Sequence, residues 1–237
     1  MPVPRLLVFD LDGTLIDSSL DLCNSVNAML ENAGKPPLPH ALIATYIGDG
    51  AAMLVRRALG DPGDLDSRTP EDDRGDTAFH RGFDFFLDYY RIHKLDHTRL
   101  YPGALEALTK IRATYPSLPM AVLTNKPVIP SRDICDALGV APFFFQIYGG
   151  NSFPTKKPDP EGLLALLAEA SALTAHAITP AETIMIGDSD VDVLTARRAG
   201  AMSVGCTYGL APHTLAAAMP DLSIASPSEW PRLLGLA

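Results

Sequence analysis

Short apolar runs that end in acidic, polar or glycine residues recur along the chain, with room for a helix between most of them. Such runs are typical of strands that are buried on both faces of a parallel sheet. Five segments have this pattern: LLVFD at 6–10, MAVLTN at 120–125, QIYGG at 146–150, TIMIGD at 183–188 and MSVGC at 202–206. The sequence therefore predicts a parallel sheet built from these segments.

The intervening segments have helical periodicity and recognisable helix ends, such as Gly139 and Gly200. Alternating strands and helices predict an α/β protein with a Rossmann-like parallel sheet and helices on both faces. Residues 17–95 break this rhythm, because they contain helical patterns but no convincing strand. We therefore predict an α/β catalytic core formed by residues 1–16 and 96–237, with an inserted helical bundle at 17–95.

Three features of the insertion are predicted in more detail. Its first helix is expected to begin at Ser18, with Asp21 completing a pattern like a capping box. The acidic stretch 60–76, rich in Gly and Pro, is expected to be an exposed loop. A long helix over 77–94 carries an aromatic stripe at spacings of three and four, which predicts core packing. The stripe consists of Phe79, Phe83, Phe86 and Tyr90.

The composition excludes several classes of partner. The formal net charge of −9 provides no basic field of the kind that binds nucleic acid. The three cysteines are far apart and form no C-x-x-C pair, which favours a reducing compartment over a disulfide framework. No apolar run approaches the length of a membrane span. We expect a cytoplasmic monomer or homodimer with neither a nucleic-acid nor a membrane partner.

Acidic residues follow two of the predicted strands. Asp10 and Asp12 come after the first apolar run, and Asp188 and Asp192 come after the fourth. Extended backbone would place the first two carboxylates on one side of the chain, although two acids at a strand end could also cap a helix or occupy a surface turn. Carboxylates that converge at neighbouring strand ends repel one another unless a cation lies among them, and oxygen ligands suit Mg²⁺. The four acids therefore predict a magnesium site.

Other polar residues are placed to complete a binding site for a phosphoryl group. Thr124 and Asn125 end the second apolar run with a hydroxyl and an amide, and Lys156 and Lys157 precede a later helix. Gly13 permits a tight turn beside a ligand. Hydroxyl, amide and ammonium groups beside Mg²⁺ would surround a phosphoryl group with hydrogen-bond donors and positive charge.

The ordered set of these motifs resembles the four motifs of the haloacid dehalogenase superfamily. They are D-x-D-G-T at 10–14, T-N at 124–125, K-P at 157–158 and G-D-x-x-x-D at 187–192. The resemblance covers essentially the whole chain, and the helical insertion after the first motif is similar to the C1 cap of that superfamily. It implies a haloacid dehalogenase-like core with a cap at 17–95.

The resemblance also implies a role for each motif residue. Asp10 would be the nucleophile that forms an aspartyl-phosphate, and Asp12 the general acid and base. Lys157, rather than Lys156, would neutralise charge on the nucleophile and the transferred group. Mg²⁺ would be held by the carboxylates of Asp10 and Asp188 and the Asp12 carbonyl, with Asp192 nearby.

The remaining motif residues and the acid at position 12 bear on the reaction. Gly13, Thr124 and Asn125 would contact the phosphoryl group. The true dehalogenases of the superfamily lack an acid at the position of Asp12, because a halide leaves without protonation. The resemblance therefore implies phosphoryl transfer.

Within the superfamily, the segments TNKP at 124–127, FPTKKPDP at 153–160 and TYG at 207–209 are most similar to phosphoglycolate phosphatases. Hydrolysis of a small phosphomonoester, with 2-phosphoglycolate as the expected substrate, is the leading hypothesis. Pyrophosphate or a nucleoside monophosphate is an alternative substrate, and a phosphomutase of the β-phosphoglucomutase type is an alternative enzyme. A non-catalytic binding protein is a third class, which the complete motif set disfavours.

The insertion is expected to contribute to substrate selection. The loop at 48–50, including Gly48, would close over the site. Arg57 or Arg56 could pair with a substrate carboxylate, although the more common role of such residues is a charge on a helix surface. Asp49 is expected to point to solvent, because an acid here would repel an anionic substrate.

Two residues and one segment outside the motif set also carry expectations. Asn151 and the segment TYGLA at 207–211 depart from the pattern of close relatives, which leaves their contacts open. Asp17 lies where the chain leaves the core, so we assign it to the hinge and not to catalysis.

Overall fold

The computed structural model describes residues 4–61 and 77–235, and the chain divides into two compact units. The first unit joins Met1–Asp17 to Arg99–Ala237, and the second is Ser18–Thr98. That these units act as catalytic core and cap stays a prediction. The expected loop at 60–76 lies outside the described residues apart from its first two positions.

Within the described residues, the first unit contains a six-stranded sheet whose paired neighbours are all parallel. Its strands are β1 (Leu6–Phe9), β4 (Met120–Leu123), β5 (Gln146–Tyr148), β6 (Thr183–Gly187), β7 (Met202–Cys206) and β8 (Leu222–Ile224), and a separate antiparallel pair consists of β2 (Ile16–Asp17) and β3 (Arg99–Leu100). The strand order is β5-β4-β1-β6-β7-β8, so β1 lies between β4 and β6. The predicted α/β class and parallel sheet are confirmed.

The helices divide between the two units. The second unit contains α1 (Ser19–Asn32), α2 (His40–Ala44), α3 (Ala51–Leu59) and α4 (Thr77–His93), and the first contains α5 (Ala104–Thr114), α6 (Val128–Ala137), α7 (Glu161–Thr174), α8 (Asp190–Ala199) and α9 (Leu215–Ala218). Short 3-10 turns occur at Ala141–Phe143, Pro180–Glu182, Pro212–Thr214 and Pro227–Leu234. The described part of the second unit contains no strand, as predicted.

The apolar run of β1 is buried because both faces of the sheet are covered. Leu6 and Val8 belong to a cluster that includes residues of α7 and α8. Phe9 instead packs edge-to-face against Trp230, with ring centroids 5.0 Å apart. A strand covered on both sides has no solvent-facing position, which explains the absence of polar alternation in this run.

The second unit has its own apolar core, formed mainly by α1, α3 and α4. The predicted aromatic stripe of α4 is confirmed as part of it: Phe79, Phe86 and Tyr90 are buried, and Phe83 packs against the same cluster. The rings of Phe86 and Tyr90 are stacked with centroids 5.8 Å apart. Burial of this stripe stabilises the unit through the area that it removes from water.

The predicted cap of the first helix is wrong. The side chain of Ser18 makes no capping hydrogen bond at α1, and Asp21 is buried with a different set of partners. Its carboxylate accepts hydrogen bonds from the backbone N–H groups of His97 and Thr98 and from the Thr98 hydroxyl, at 2.8–3.0 Å. Asp21 therefore joins the first turn of α1 to the residues that end the second unit.

Two further observations concern the composition-based expectations. All three cysteines are buried, and none forms a disulfide bond within the described residues. Among the helices in the described residues, none is both long and apolar enough to span a bilayer.

Candidate active site

Three adjacent strands of the sheet, β4, β1 and β6, end in polar residues at one edge. Asp10 follows β1 and continues the ladder, because its N–H donates to Ile186 O at 2.8 Å. Thr124 follows β4, and its N–H donates to Tyr148 O at 3.0 Å. Asp188 follows β6. Parallel strands bring their carboxyl ends together, so the predicted residues meet where open α/β sheets bind ligands.

The sequence predicts extended backbone between Asp10 and Asp12, and this prediction is wrong. The backbone bends at Leu11, whose carbonyl accepts hydrogen bonds from Leu15 at 3.0 Å and Ile16 at 3.1 Å. The two carboxylates consequently pair with different lysines: Asp10 Oδ1 lies 2.9 Å from Lys157 Nζ, and Asp12 pairs with Lys126.

Gly13 occupies a position that excludes a side chain. Its φ of +84° lies in the left-handed region, and a Cβ built on it would be 2.1 Å from Asp188 Oδ2. The turn after β1 therefore packs its backbone directly against the Asp188 carboxylate. Glycine is required here both by the backbone conformation and by this close approach.

Asp188 is held by backbone amides. Its Oδ2 accepts hydrogen bonds from the N–H groups of Leu210 at 2.6 Å and Ala211 at 2.9 Å. These are the residues at which TYGLA departs from the expected pattern. Because the donors are backbone groups, the side chains at 210 and 211 do not determine this contact.

Asp192 is engaged through both of its carboxylate oxygens. Oδ1 accepts from Lys157 Nζ at 2.5 Å, and Oδ2 accepts from the Ser189 hydroxyl at 2.8 Å and the Ser189 N–H at 3.2 Å. The Ser189 contacts form a capping box at the start of α8. Asp192 therefore caps the N-terminus of α8 with one oxygen and pairs with the Lys157 ammonium through the other.

The electrostatics of the cluster reflect its burial and excess negative charge. Burial raises the pKa of Asp10 to about 6, although the Lys157 charge opposes this increase. Burial, together with the charges of Asp192 and Asp10, raises the pKa of Asp188 to about 8, with amide hydrogen bonds opposing. Burial alone would lower the pKa of Lys157, but the adjacent Asp10 and Asp192 carboxylates raise it.

The donor set fits a hard divalent cation. Asp10, Asp188 and Asp192 are buried, and one carboxylate oxygen from each lies within 4.8 Å of the others. In the described part of the chain, Lys157 is the one cation paired with these three acids. Oxygen donors with uncompensated negative charge are the ligands that Mg²⁺ prefers. The cluster can therefore accommodate the predicted ion.

The predicted phosphoryl-binding residues lie beside this cluster but have further contacts. Thr124 and Asn125 are buried at the end of β4. The Thr124 hydroxyl accepts from the Lys126 N–H at 3.3 Å, and the Asn125 side-chain amide donates to Lys157 O at 3.0 Å. Asn125 therefore connects the end of β4 to the segment that carries Lys157. Their contact with a phosphoryl group stays a prediction.

Of the two adjacent lysines, only Lys157 enters the site, and Lys156 is exposed. Asn151 lies in an exposed position, where its side-chain oxygen accepts from the Val128 N–H at 2.9 Å and so caps the start of α6. The departure at position 151 therefore has a local structural role.

Sequence reasoning assigned no role to Lys126. Its ammonium is buried and lies 3.0 Å and 3.1 Å from the two oxygens of Asp12. The signal was present in the sequence, because Lys126 follows Thr124 and Asn125 directly at a predicted strand end. Its adjacency to two predicted site residues could have found it.

Within the second unit, Arg57 is paired with an acid. Its guanidinium lies 2.6 Å from Asp49 Oδ2 and donates to Tyr46 O at 3.2 Å. Asp49 was expected to point to solvent, and its side chain is 33% exposed while it forms this ion pair. Gly48 is exposed with a φ of +126°. The predicted contacts of Gly48 and Arg57 with substrate stay predictions.

Arg56 is not a surface charge of α3. Its side chain is 3% exposed, lies 3.9 Å from the centroid of the Phe79 ring, and pairs with Asp61 at 3.2 Å. Arg56 thus stabilises the second unit through a cation–π contact and an ion pair.

Comparison with known proteins identifies the family that the sequence motifs resemble, and the matches cover most of the chain. The family model for haloacid dehalogenase-like hydrolases matches residues 7–206. A phosphoglycolate phosphatase of Chromobacterium violaceum is 39% identical over 95% of this chain and 94% of its own. One of Neisseria meningitidis is 38% identical over 95% and 91%. The crystal structure of a predicted phosphoglycolate phosphatase from Haemophilus somnus matches with a TM-score of 0.85 and 31% identity, covering 98% and 99% of the two chains.

Proposed function

Since the chain belongs to the haloacid dehalogenase-like hydrolase family and is a phosphoric monoester hydrolase, we propose that Asp10 and Asp12 hydrolyse a small phosphomonoester through an aspartyl-phosphate. The observation that carries this proposal is the buried cluster of Asp10, Asp188, Asp192 and Lys157 at the carboxyl ends of β1 and β6. Such a cluster concentrates charge for chemistry and contributes little to stability, because buried charges are costly to desolvate.

The proposed reaction has two steps. In the first, an Asp10 oxygen forms a bond to phosphorus while the ester oxygen leaves with a proton from Asp12. In the second, Asp12 takes a proton from water as the water oxygen attacks phosphorus and the Asp10 bond breaks. Two acids are needed, because a carboxylate that acts as nucleophile cannot also protonate the leaving group.

Lys157 supports both steps electrostatically. Its ammonium lies 2.9 Å from Asp10 Oδ1, where it would offset the negative charge that accumulates as a phosphate dianion approaches a carboxylate. Thr124, Asn125 and the backbone around Gly13 would orient the phosphoryl oxygens.

The residues that would hold Mg²⁺ are the carboxylates of Asp10 and Asp188 and the carbonyl of Asp12. Asp192 would act beside them, since its oxygens already accept from Lys157 and Ser189. When bound, the ion would supply Lewis-acid stabilisation of charge on the transferred group.

The substrate that we propose is 2-phosphoglycolate. Two relatives that match almost the full chain at 38–39% identity are phosphoglycolate phosphatases. A small anionic ester would also suit Arg57 as a partner for the substrate carboxylate, in exchange for Asp49. A nucleoside monophosphate, pyrophosphate or hexose phosphate would require different contacts around the leaving group.

A substrate panel tests the proposal. Initial rates of phosphate release with Mg²⁺ should rank 2-phosphoglycolate first in kcat/KM, ahead of nucleoside monophosphates, pyrophosphate and hexose phosphates. Arg57→Ala should raise KM for 2-phosphoglycolate more than for ethyl phosphate, whereas the buried Arg56 should affect stability. Conversion of a hexose phosphate to its isomer without free phosphate would indicate a mutase.

The covalent step has its own test. Rapid quenching of a turnover mixture in acid should trap phosphate on the protein, and borohydride reduction should mark Asp10. Asp10→Asn and EDTA should each abolish phosphate release. Release that survives both treatments would show that another site is responsible.

Location and assembly belong to the same proposal. Three buried cysteines that form no disulfide bond within the described residues suit a reducing compartment. The cytoplasmic location and the monomer or homodimer state stay predictions.

A further inference from the structure

Lys126 contacts both oxygens of the Asp12 carboxylate at nearly equal distances. Its ammonium lies 3.0 Å from Asp12 Oδ1 and 3.1 Å from Asp12 Oδ2, and the lysine is 6% exposed. A contact to both oxygens restricts rotation of the carboxylate about its Cβ–Cγ bond more strongly than a contact to one oxygen would.

The backbone of Lys126 is fixed from two directions. Its N–H donates to the Thr124 hydroxyl at 3.3 Å, and its carbonyl accepts from Gly150 at 2.9 Å. A Cβ added to Gly149 would lie 2.6 Å from that same carbonyl. The lysine therefore starts from a rigid point beside the end of β4, and such support is what holds a functional side chain in place.

The two buried lysines of the site serve different acids. Lys157 pairs with Asp10 and Asp192, whereas Lys126 pairs with Asp12. Asp12 is also absent from the three-carboxylate group that could hold a cation. Its carboxylate is thus oriented by Lys126 and separated from the contacts that define the metal cluster.

Stability alone does not explain this pair. Burying two charges costs solvation energy that their attraction only partly returns, and apolar replacements of such pairs are often neutral or stabilising. A buried lysine on a rigid backbone therefore calls for a role in the reaction.

The geometry points to Lys126 as a positioning residue that holds the Asp12 carboxyl group toward the leaving oxygen of the ester. This inference rests on the proposed function, in which Asp12 donates its proton to that oxygen and later recovers one from water. Lys126 transfers no proton and forms no bond to phosphorus. Its effect is exerted entirely through the orientation of Asp12.

Leaving-group dependence tests this role. Three probes are used: 2-phosphoglycolate, ethyl phosphate, which has no carboxylate, and 2,4-dinitrophenyl phosphate, whose leaving group departs without a proton. Lys126→Met should lower kcat/KM about 100-fold for both alkyl esters, within the range for loss of general acid catalysis. The aryl ester should lose less than about fivefold, because it does not need the acid.

A double-mutant cycle separates positioning from independent binding. Asp12→Asn should show the same leaving-group pattern, and Asp12→Asn with Lys126→Met should be no slower than Asp12→Asn alone. Lys126→Arg should restore part of the alkyl-ester activity.

Lys110→Met, which removes an exposed lysine on α5, is the matched control and should retain full activity. Melting temperatures of all variants check folding, and the double variant avoids leaving one member of the pair buried alone.

The outcomes are distinct. A loss confined to 2-phosphoglycolate and expressed in KM would overturn positioning, because it would make Lys126 a partner for the substrate carboxylate. Equal losses for all three esters, or losses that add to those of Asp12→Asn, would also overturn it. Full alkyl-ester activity in Asp12→Asn would overturn the proposed function together with this inference.

Discussion

Lys157 Nζ lies 2.5 Å from Asp192 Oδ1, and both side chains are buried. The other oxygen of Asp192 accepts from Ser189. An aspartate whose two oxygens are already engaged by protein donors is better placed to orient a lysine than to bind a metal ion directly. We therefore predict different functions for Asp192 and Asp188, although both follow β6.

The separation predicts different effects of the two aspartates on metal binding. Asp188→Ala should abolish the increase in melting temperature that Mg²⁺ causes, whereas Asp192→Ala should retain most of it. Asp192→Ala should still lower kcat about 100-fold, because a displaced Lys157 would no longer hold Asp10, the proposed nucleophile, in position. Thermal melting at a series of Mg²⁺ concentrations, followed by kinetics, measures both effects.

A matched pair of variants tests whether activity depends on the buried Lys157. The two variants are Lys157→Met and Lys156→Met. Lys157→Met should be inactive, whereas Lys156→Met should keep wild-type rates because Lys156 is exposed. If Asp192→Ala loses the Mg²⁺ response as fully as Asp188→Ala, Asp192 is itself a ligand and the separation is wrong.

The raised pKa of Asp188 predicts how the stability of the metal-free protein depends on pH. Its ordinary value is 3.8 and its value in the fold is about 8. Between these values the folded state binds more protons than the unfolded state, so the free energy of unfolding decreases as pH rises. Asp10, with a pKa of about 6, contributes in the same direction at the lower end of this range.

Denaturant unfolding in EDTA from pH 5 to pH 8.5 measures this dependence. Asp188→Asn should flatten the curve and should be more stable than the wild type at pH 8. Mg²⁺ at about 100 times its dissociation constant should restore roughly 2.7 kcal/mol to the wild type. A metal-free wild type that becomes more stable toward pH 8 would contradict the assigned burial of this acid.

At Gly13 we predict that adding one methyl group strongly lowers both stability and activity. Gly13→Ala places a Cβ 2.1 Å from Asp188 Oδ2 at a φ of +84°, so it combines backbone strain with displacement of a site residue. Gly139→Ala is the matched control, because Gly139 has a φ of +72° and nothing within 4 Å of the added atom. Gly139→Ala should cost about 1–2 kcal/mol of stability and leave the activity unchanged.

Kinetics and thermal melting of both variants make the comparison. Gly13→Ala should be more destabilised than Gly139→Ala and should lose at least about 100-fold in kcat/KM. Comparable activity in the two variants would show that the turn can move away from Asp188 without consequence.

The sheet was predictable because burial on both faces leaves a plain signal in the sequence. The runs that form β1 and β6 are apolar throughout and end in acids, so both strand type and strand end could be read. β8 was missed because it is three residues long and two of them are exposed, which gives no continuous apolar run. The short pair of β2 and β3 was missed for a similar reason.

The convergence of acids was predictable because Asp10 follows β1 and Asp188 follows β6, and these two strands are neighbours in the sheet. The catalytic and metal-binding roles of these acids stay predictions. Contacts that depend on which partner the fold delivers were not predictable: Asp21 resembles a capping residue but bonds to His97 and Thr98, and Arg57 pairs with Asp49. Local spacing cannot specify a partner that lies 76 residues away along the chain.

Asp21 gives the last prediction, because it joins the two ends of the second unit. Burial would raise its pKa, but the hydrogen bonds from His97 and Thr98 outweigh burial and lower it. Its contribution to stability is therefore complete above the ordinary value of 3.8 and is lost as pH falls through the lower value of the folded state. Asp21→Ala should cost about 3 kcal/mol at pH 7, since it removes the acceptor of the buried Thr98 N–H and hydroxyl groups and of the His97 N–H. Asp88→Ala, at a position that is 81% exposed on α4, should cost less than about 0.5 kcal/mol.

Denaturant unfolding at pH 7 and pH 3 measures both variants, and the difference between Asp21→Ala and the wild type should shrink at the lower pH. Equal costs for the two substitutions would show that this carboxylate does not hold the ends of the unit together.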